Sequence, residues 1–478
     1  RAVSEERQNA DDPSGGTTFL PVFSARYDIF SNKVQETVYD WPTYDSKKRA
    51  VAGDWPNGDT LLALTTDYLF NDWNEPQCTI DPDKVKVFEE LDHVGDSTWT
   101  VGPVQRNWKE SADGSQTTGL TVSLINAFGE PQIIRRYEAL GDTKVYSETL
   151  RTVDGLGRTV KETDARDFST EFGYDEEGRM ILTVLPGGAR VVREYAVHSS
   201  EDLPTSITVD GDELGNQRFD GMGRLYALST GGRPQAFTFK DGQSRPDTVT
   251  TPEGRIRYDY RLQLSEEPSR RYLPDVNGER EASYDFDAKN ARMLSCEEDG
   301  LRLDRDYYSN GELKSETRIQ GSSTYTMHYG TSQLGLPLSY LNVLGEEQRY
   351  DYDLAGRLVS TRLGSTTSTF LYDAFGRTSR IETTDAAMKV RIDITYDAFE
   401  REDSRTFDLN GTGQVMTQKY NVVDLLAERR LSEGPTDVRL EDYVYDGRNR
   451  LTTYRCQGTE PPEDQHGNKI LSQAFQFD

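Results

Sequence analysis

Basic residues are scarce in this chain of 478 residues, because 55 Lys and Arg stand against 82 Asp and Glu for a net charge of −27. No stretch reads as a basic patch, so the sequence disfavours binding to nucleic acid or to an anionic membrane surface. Long hydrophobic runs are also lacking. The longest, around 61–64, is far shorter than the roughly 20 residues of a membrane-spanning helix. The sequence therefore predicts neither a membrane span nor a signal peptide.

Residue types that build catalytic and metal sites are few. Cys78, Cys296 and Cys456 lie far apart and form no C-x-x-C pair, so we predict isolated structural thiols, without a disulfide framework or a zinc site. The four His stand at positions 93, 198, 328 and 466. No zinc-protease, serine-hydrolase or P-loop motif accompanies them. We therefore expect no catalytic site, no metal site and no cofactor.

Two acidic loops, 210–215 and 408–413, resemble the start of a calcium-binding loop. An EF-hand needs an acid at its twelfth position, which here holds Gly221 and Lys419 respectively. We predict that both loops are hairpin turns, and the sequence leaves calcium binding open.

Helical periodicity is missing, since no window repeats apolar residues at i, i+3, i+4 and i+7 for three turns. The chain instead contains 26 Tyr, 18 Phe and 5 Trp, an aromatic content that acidic disordered chains lack. Segments such as 377–384 and 391–396 alternate with a period of two, which is typical of β-strands. These features predict an all-β fold.

One motif recurs along the chain: an aromatic residue, Asp, two variable residues, Gly and Arg. The near-complete copies are Tyr174, Asp175, Gly178, Arg179; Phe219, Asp220, Gly223, Arg224; Tyr352, Asp353, Gly356, Arg357; and Tyr372, Asp373, Gly376, Arg377. The weaker copies are Val153, Asp154, Arg158; Tyr396, Asp397, Arg401; and Tyr445, Asp446, Arg450. Degenerate copies, including starts at 308 and 329, extend the register at steps of 20 to 26 residues. Three further copies begin upstream at Tyr27, Phe70 and Ile125.

Each step is long enough for two strands and two turns, so each unit is predicted to be a β-hairpin. The ring is expected to stack on the equivalent ring of the next hairpin, and the Asp to accept backbone N–H groups two residues on. The Gly position, held by Asn at 74, 290 and 449, is expected to have positive φ. Arg is expected to pair with the Asp. These residues predict a structural scaffold with no active-site role.

The motif at this spacing resembles the YD repeat of RHS proteins, which include bacterial polymorphic toxins, components of insecticidal toxin complexes, and teneurins. The resemblance covers 125–478 as a regular array and 1–124 more loosely, as an irregular part with long insertions. It implies antiparallel hairpins joined into one long sheet that spirals into part of a hollow shell. It further implies a structural role in encapsulating and delivering a cytotoxic C-terminal segment.

The resemblance also implies partners and a location. The partners would be the remaining parts of the same shell, its enclosed toxin segment and a translocation component of a toxin complex. The protein would be secreted after synthesis in the bacterial cytoplasm. The family's self-cleavage core does not follow the repeats here, so we predict no enzymatic activity. The chain ends at Phe477-Asp478, which reads as the start of another repeat, and we expect the array to continue.

Two alternatives remain open. A carbohydrate-binding or adhesion module on the same scaffold would cluster Trp and Tyr on one outward surface, but the five Trp, at 41, 55, 73, 99 and 108, are mostly N-terminal. A polysaccharide-acting enzyme on a β-propeller would pair units into four-stranded blades, so that alternate units match best. No such doubling is visible in the sequence.

Overall fold

A computed structural model describes residues 2–8, 19–41, 62–94, 102–261, 267–275, 278–386, 388–464 and 469–476. Within these ranges every regular element is a β-strand, which confirms the predicted all-β fold. The same ranges contain no helix that is long and apolar enough to cross a membrane. The chain divides into two compact units: unit 1 comprises 1–169, 330–340 and 346–478, and unit 2 comprises 170–329 and 341–345.

The first part of unit 1 is a run of strands in which each pairs antiparallel with the next in sequence. These strands are β1 (Ala2–Gln8), β2 (Phe19–Tyr27), β3 (Lys33–Asp40), β4 (Leu62–Phe70), β5 (Pro76–Ile80), β6 (Lys86–Asp92), β7 (Val104–Glu110), β8 (Leu120–Ile125), β9 (Pro131–Tyr137), β10 (Ser147–Val153) and β11 (Thr159–Thr163). We call them the N-terminal run.

Unit 2 is built in the same way, by antiparallel pairing of consecutive strands. Its strands are β12 (Ser169–Tyr174), β13 (Met180–Val184), β14 (Arg190–Tyr195), β15 (Pro204–Val209), β16 (Asp212–Phe219), β17 (Leu225–Thr230), β18 (Arg233–Thr238), β19 (Thr248–Thr251), β20 (Gly254–Tyr260), β21 (Pro268–Asp275), β22 (Gly278–Phe286), β23 (Met293–Glu298), β24 (Leu301–Tyr307), β25 (Leu313–Gln320) and β26 (Ser323–Thr331).

The second part of unit 1 is the C-terminal run, which pairs consecutively from β28 to β38. Its strands are β27 (Pro337–Leu341), β28 (Glu347–Tyr352), β29 (Leu358–Leu363), β30 (Thr366–Tyr372), β31 (Thr378–Asp385), β32 (Met388–Tyr396), β33 (Glu402–Leu409), β34 (Thr412–Tyr420), β35 (Leu426–Glu433), β36 (Thr436–Tyr445), β37 (Leu451–Gln457) and β38 (Ser472–Ala474). The predicted division of the chain at 124/125 stays a prediction.

Residues directly opposed in a ladder share a face, and over β31–β35 one face of the C-terminal run is mainly apolar, with Arg405 and Arg429 as its cations. Ile381, Ile392 and Phe407 oppose one another across β31, β32 and β33, and Met416 opposes Leu431 on the same face. All five side chains are half-buried. We call this the apolar face.

The opposite face of the same strands carries paired charges. Arg380 opposes and pairs with Asp393, and Arg391 bonds Asp393 at 3.0 Å and Asp408 at 3.4 Å. On this charged face, the positive charges of the arginines are therefore compensated by carboxylates of the same and the neighbouring strands.

The two acidic loops and the three thiols have the structures that the sequence predicts. The loops at 210 and 408 are tight hairpin turns: Asp210-Gly211 has φ values of 51° and 97°, and Asn410-Gly411 has 51° and 92°. Positive φ at both central residues suits a two-residue hairpin connection. The three thiols are free, as predicted, with Cys78 and Cys456 buried.

Two degenerate copies were placed in the wrong register. The ring that ends β24 is Tyr307, one residue before the predicted start, because Tyr308 takes the place of the Asp by bonding Glu312 and Gly311 through its backbone. In the following copy Ser332 occupies the Asp place and accepts from the Leu336 N–H, so the ring place is Thr331 and the predicted start at 329 is two residues early. In both copies another residue replaces the motif Asp, so the sequence lacks the residue by which the register of a copy is recognised.

Candidate functional site: the repeat turns and their seam

The turn at 353–357 shows how one repeat is built. Tyr352 ends β28 at a register shift in the ladder. The Gly356 N–H donates to the Asp353 carbonyl at 3.0 Å, which closes a type I turn, and Gly356 has a φ of 78°. This is the three-residue hairpin connection with a left-handed residue at its end. Asp353 Oδ1 accepts from the N–H of Ala355 and of Arg357, both at 2.9 Å.

The other oxygen of the Asp binds the Arg of the motif. Arg357 Nε donates to Asp353 Oδ2 at 2.8 Å, and Nη2 lies 2.8 Å from the same oxygen. The Nε to Oδ2 distance is 2.7 or 2.8 Å in every copy that the sequence singled out. The pairs are Asp154–Arg158, Asp175–Arg179, Asp220–Arg224, Asp353–Arg357, Asp373–Arg377, Asp397–Arg401 and Asp446–Arg450. One side chain thus satisfies two backbone donors and one guanidinium.

The fourth turn position has positive φ, at 89°, 75°, 78° and 76° in Gly178, Gly223, Gly356 and Gly376. Asn74 and Asn449 also have positive φ, at 64° and 63°. The prediction for Asn290 is wrong, because Ala291 holds the positive φ of 58° there. Its turn is one residue longer, since the Asp287 N–H pairs with the Arg292 carbonyl.

Successive repeats are joined through the ring and the guanidinium. The Arg357 guanidinium lies 4.5 Å from the Tyr372 ring centre, and the Arg377 guanidinium lies 4.4 Å from the Tyr396 ring centre. Each Tyr hydroxyl donates to the carbonyl of the residue that follows the preceding Arg, as Tyr372 does to Leu358 at 2.6 Å. The prediction that each ring stacks on the ring of the next hairpin is therefore wrong. The guanidinium of the preceding turn packs on the ring instead.

The same tyrosine hydrogen bond recurs in both units. The donors and acceptors are Tyr195 to Met180, Tyr260 to Pro246, Tyr307 to Met293, Tyr352 to Pro337, Tyr372 to Leu358, Tyr396 to Thr378, Tyr420 to Glu402 and Tyr445 to Leu426. Burial raises the pKa of Tyr352 to about 12, so this hydroxyl remains a donor across the physiological range. The hydrogen bond from Arg224 lowers the pKa of Asp220, and that from Arg158 lowers the pKa of Asp154.

Six turns of unit 1 also contact the N-terminal run. These turns are 332–336, 353–357, 373–377, 397–401, 421–425 and 446–450, and with the loops that they touch we call them the seam. The hydrogen-bonded partners across the seam lie 255 to 294 residues apart in sequence. The loops that they touch are every second connection of that run, beginning with β3–β4 and ending with β11–β12.

The turn at 397–401 contacts the N-terminal run through its backbone and through the Phe399 ring. The Gly119 N–H donates to the Ala398 carbonyl at 2.7 Å, and a Cβ on Gly119 would lie 2.8 Å from the Phe399 ring. Phe399 packs on the Tyr146 ring at 4.5 Å between centres and under the Arg136 guanidinium at 4.1 Å. Glycine at 119 is therefore required by close approach.

Polar contacts extend the seam on both sides of this turn. Arg136 holds Asp424 through two hydrogen bonds of 2.7 and 3.1 Å. Arg166 donates to the Asp446 carbonyl at 3.1 Å and to Asn449 Oδ1 at 2.6 Å. These charge-assisted bonds use cations of the N-terminal run against oxygens of the turns.

The other end of the seam is buried and combines a hydrogen-bonded carboxyl group with an apolar cluster. Asp40 is fully buried and accepts from the Leu334 N–H at 3.0 Å, while the Gln333 N–H donates to the Trp41 carbonyl at 2.8 Å. Desolvation raises the pKa of Asp40. Beside these residues Leu62, Leu338 and Tyr352 form a buried cluster. Next along, the Ala112 N–H donates to the Ala374 carbonyl at 3.0 Å.

No group of three or more His, Cys, Asp or Glu within the described ranges is arranged to hold a metal ion. The seam itself escaped sequence reasoning because its partners are separated by more than half of the chain. The one local signal is the shared Ala-Phe pair at 374–375 and 398–399, which the motif leaves variable.

Comparison with known proteins agrees with this geometry. Residues 153–190 match the family described as RHS Repeat. The crystal structure of TcdB2-TccC3-Cdc42 aligns over 92% of this chain and 24% of its own, with a TM-score of 0.61 and 12% identity. By these matches the chain contains a segment similar to the RHS repeat, and its fold is similar to that of this structure. No curated protein sequence matches it.

Other toxin structures share the RHS fold. The TcdB2-TccC3-TEV crystal structure aligns over 94% of this chain and 27% of its own, with a TM-score of 0.59 and 15% identity. A Photorhabdus luminescens Tc holotoxin pore carrying a TccC3 mutation gives the same coverages, a TM-score of 0.55 and 13% identity. At these identities the likeness establishes the fold, and the chain spans about a quarter of the length of the structures that it matches.

Proposed function

We propose that the chain is wall material of a toxin shell, which encloses a polypeptide guest and takes part in its delivery. The observation that carries the proposal is the seam. It fastens the C-terminal run to the N-terminal run through the turns of six successive repeats, as a wall requires. In this proposal the chain has no enzymatic activity, is exported as a toxin component, and has the rest of the shell and a translocation component as its partners.

The accessible area supports a wall. The chain exposes 27,898 Å². A compact protein of 54.1 kDa exposes about 18,000 Å². Within the described strands most side chains on both faces are only half-buried, as in a single layer. A single layer is the economical way to enclose volume.

The two faces suggest which side meets the guest. The apolar face, with Ile381, Ile392 and Phe407, would promote aggregation if it were turned to bulk water. An unfolded guest offers apolar side chains that such a face binds weakly and without sequence preference. We therefore assign the apolar face to the enclosed space and the charged face to the outside.

Protease protection tests the proposal in the natural polypeptide that contains residues 1–478. The seam variant is Phe399→Lys, which puts a further cation beside Arg136 and Arg401, and the matched control is Met222→Lys, at an exposed residue in the same turn position of unit 2. We expect a segment outside 1–478 to survive digestion in the wild type and the control, and to be degraded in the seam variant.

Circular dichroism of all three proteins confirms that the strands persist. A wild-type polypeptide in which no segment outside 1–478 is protected, while the strands remain intact, would refute the enclosed guest.

One observation favours the carbohydrate alternative. A cavity of about 620 Å³ in unit 2 is lined by Tyr258, Tyr260, Tyr284 and Arg271, a combination of rings and a cation that also suits sugars. Glycan-array binding that is lost in Tyr258→Ala and Tyr284→Ala, but kept in Tyr226→Ala outside the cavity, would promote this alternative.

A further inference from the structure

Asp40, the last residue of β3, is a fully buried acid in the seam. Its exposed fraction is 0%, and it opposes Leu62, which is 1% exposed, in the β3–β4 ladder. Asp40 Oδ1 accepts from the N–H of Trp41 at 2.9 Å and of Leu334 at 3.0 Å. Asp40 Oδ2 is also buried, but it has no hydrogen-bond partner among the residues that the structure describes. Protein hydrogen bonds therefore replace the hydration of only one of the two oxygens.

No positive charge compensates this carboxyl group. Asp40 forms no ion pair with any described residue, and the next ionisable side chain on the same face of β3, Glu36, pairs with Lys33. Burial disfavours the charged form of an acid that has neither a cation nor a full set of hydrogen bonds. Desolvation is accordingly the largest influence on this group, and it raises the pKa of Asp40. The buried site thus favours the neutral acid.

The elements packed on Asp40 add no second group, among their described residues, that titrates in the weakly acidic range. The strands β4 and β27 contribute leucines to this cluster, and the turn at 332–336 has no ionisable side chain. The strand β28 contributes Tyr350 and Tyr352, and burial raises the pKa of both, to about 12 for Tyr352. Both tyrosines are therefore neutral wherever Asp40 titrates. Among the described residues of the cluster, Asp40 alone changes its charge.

Asp40 also lies where two distant parts of the chain meet. Its hydrogen bond with Leu334 joins residues 294 apart in sequence, and beside it the Gln333 N–H donates to the Trp41 carbonyl at 2.8 Å. These two bonds hold the end of β3 against the turn at 332–336. Because the closed contact keeps Asp40 away from water, a negative charge on Asp40 opposes closure.

We propose that Asp40 is a pH-sensitive switch in the seam. Its protonation strengthens the contact between the end of β3 and the turn at 332–336, and its ionisation weakens this contact. The switch does not depend on what the chain encloses.

The direction of the switch follows from proton linkage. Because the closed contact raises the pKa of Asp40 above its ordinary value of 3.8, the closed form binds the proton more tightly than the open form. Stability is therefore lost as the pH rises from the ordinary value through the raised value, and it is regained on acidification. Asp154 and Asp220 of the motif turns have lowered pKa values, so their contribution is lost only below about pH 4. Acidification from neutral pH therefore strengthens this end of the seam before it weakens the turns.

Hydrogen exchange followed by mass spectrometry tests the switch in the natural polypeptide that contains residues 1–478, from about pH 7 to about pH 4. Measured exchange rates are divided by the intrinsic rates at each pH, which gives protection factors. The reporters are peptides that cover 36–41 and 331–338, and peptides of β15–β17 in unit 2 are the internal reference. Asp40→Asn removes the charge and keeps an oxygen acceptor for both N–H groups. The controls are Tyr352→Phe in the same cluster and Asp72→Asn at an exposed turn.

We expect the reporter peptides of the wild type to gain protection severalfold on acidification, and those of Asp40→Asn to have the acidic value already at pH 7. Tyr352→Phe and Asp72→Asn should keep the wild-type response to pH, because neither changes the titrating group. A wild type whose reporter peptides gain no protection relative to the reference would overturn the proposal. So would an Asp40→Asn protein that responds to pH as the wild type does, or a response that disappears in Asp72→Asn.

Discussion

At the scale of single residues, the turn glycine is constrained in two ways that can be separated. Gly376 and Gly223 have nearly equal φ values of 76° and 75°, but a Cβ at 376 would lie 2.1 Å from Asp83 Oδ2, whereas the nearest atom at 223 is 3.6 Å away. We expect Gly223→Ala to cost about 1 kcal/mol for the left-handed backbone. Gly376→Ala should cost roughly 1–2 kcal/mol, since its Cβ also displaces the Asp83 side chain from Arg357 across the seam. Urea unfolding of both variants measures the difference.

Arg377→Lys provides the comparison within the same turn. Lysine loses the planar pair with Asp373 and the packing on Tyr396, which we expect to cost about 1 kcal/mol. A larger loss for Arg377→Lys than for Gly376→Ala would show that the guanidinium, and not the close approach of Gly376 to Asp83, limits this turn.

The tyrosine hydroxyl ties one hairpin to the preceding one. Tyr372→Phe keeps the ring on the Arg357 guanidinium but leaves the Leu358 carbonyl without its donor, so we expect a loss of about 1 kcal/mol. Tyr325→Phe, at an exposed strand position, should change the unfolding free energy by no more than a few tenths of that amount. Equal effects of the two changes would show that the Tyr372 hydroxyl does not contribute to the linkage between repeats.

The aspartates of the turns make stability sensitive to acid. The Arg224 hydrogen bond holds the pKa of Asp220 below its ordinary value of 3.8, so the folded chain binds this proton less readily than the unfolded chain. This contribution is present above pH 4 and is lost as the pH falls through the lowered value. Asp220→Asn keeps the backbone hydrogen bonds, as Asn126 does, but removes the charge. Its unfolding free energy should fall less steeply below pH 4 than that of the wild type, whereas Glu176→Gln should follow the wild type.

At the scale of elements, the sequence predicts what is local and misses what is distant. The spacing of Asp353, Gly356 and Arg357 fixes one turn, because all of its hydrogen bonds close within five residues. The seam joins Arg136 to Asp424 across 288 residues, and no periodicity carries that information. The sequence also does not predict what packs on the ring. The ring of one repeat could pack on the ring or on the guanidinium of the neighbouring repeat, and both arrangements fit the same spacing.

A double-mutant cycle across the seam tests its strength. Arg136→Ala and Asp424→Asn remove the two-bond pair singly and together, and asparagine tolerates the φ of 64° at 424. Because the Asp424 side chain is 47% exposed, we expect a coupling of only about 1 kcal/mol. The pair Arg233–Glu253, which is 71% and 61% exposed, should show almost none. Equal couplings would indicate that the seam gains nothing from this pair.

At the scale of the whole molecule, the two units differ in how their repeats are held. Within unit 2 the described contacts join each hairpin to its neighbours, as Arg224 does by donating to the Gln243 carbonyl at 2.7 Å. Stability in such an array is a sum of nearest-neighbour terms, so it can open locally. Unit 1 adds the seam, which links hairpins 255 to 294 residues apart.

We therefore expect unit 2 to open at a lower urea concentration than unit 1. Hydrogen exchange followed by mass spectrometry resolves the two, with peptides of β13–β18 losing protection before peptides of β7–β9 and β32–β35. Phe399→Lys should bring the two midpoints together by weakening unit 1 alone, because it puts a cation beside Arg136 and Arg401, while Met222→Lys should leave their separation unchanged. A single cooperative transition in all three proteins would mean that the repeats transmit stability along the array as strongly as the seam does across it.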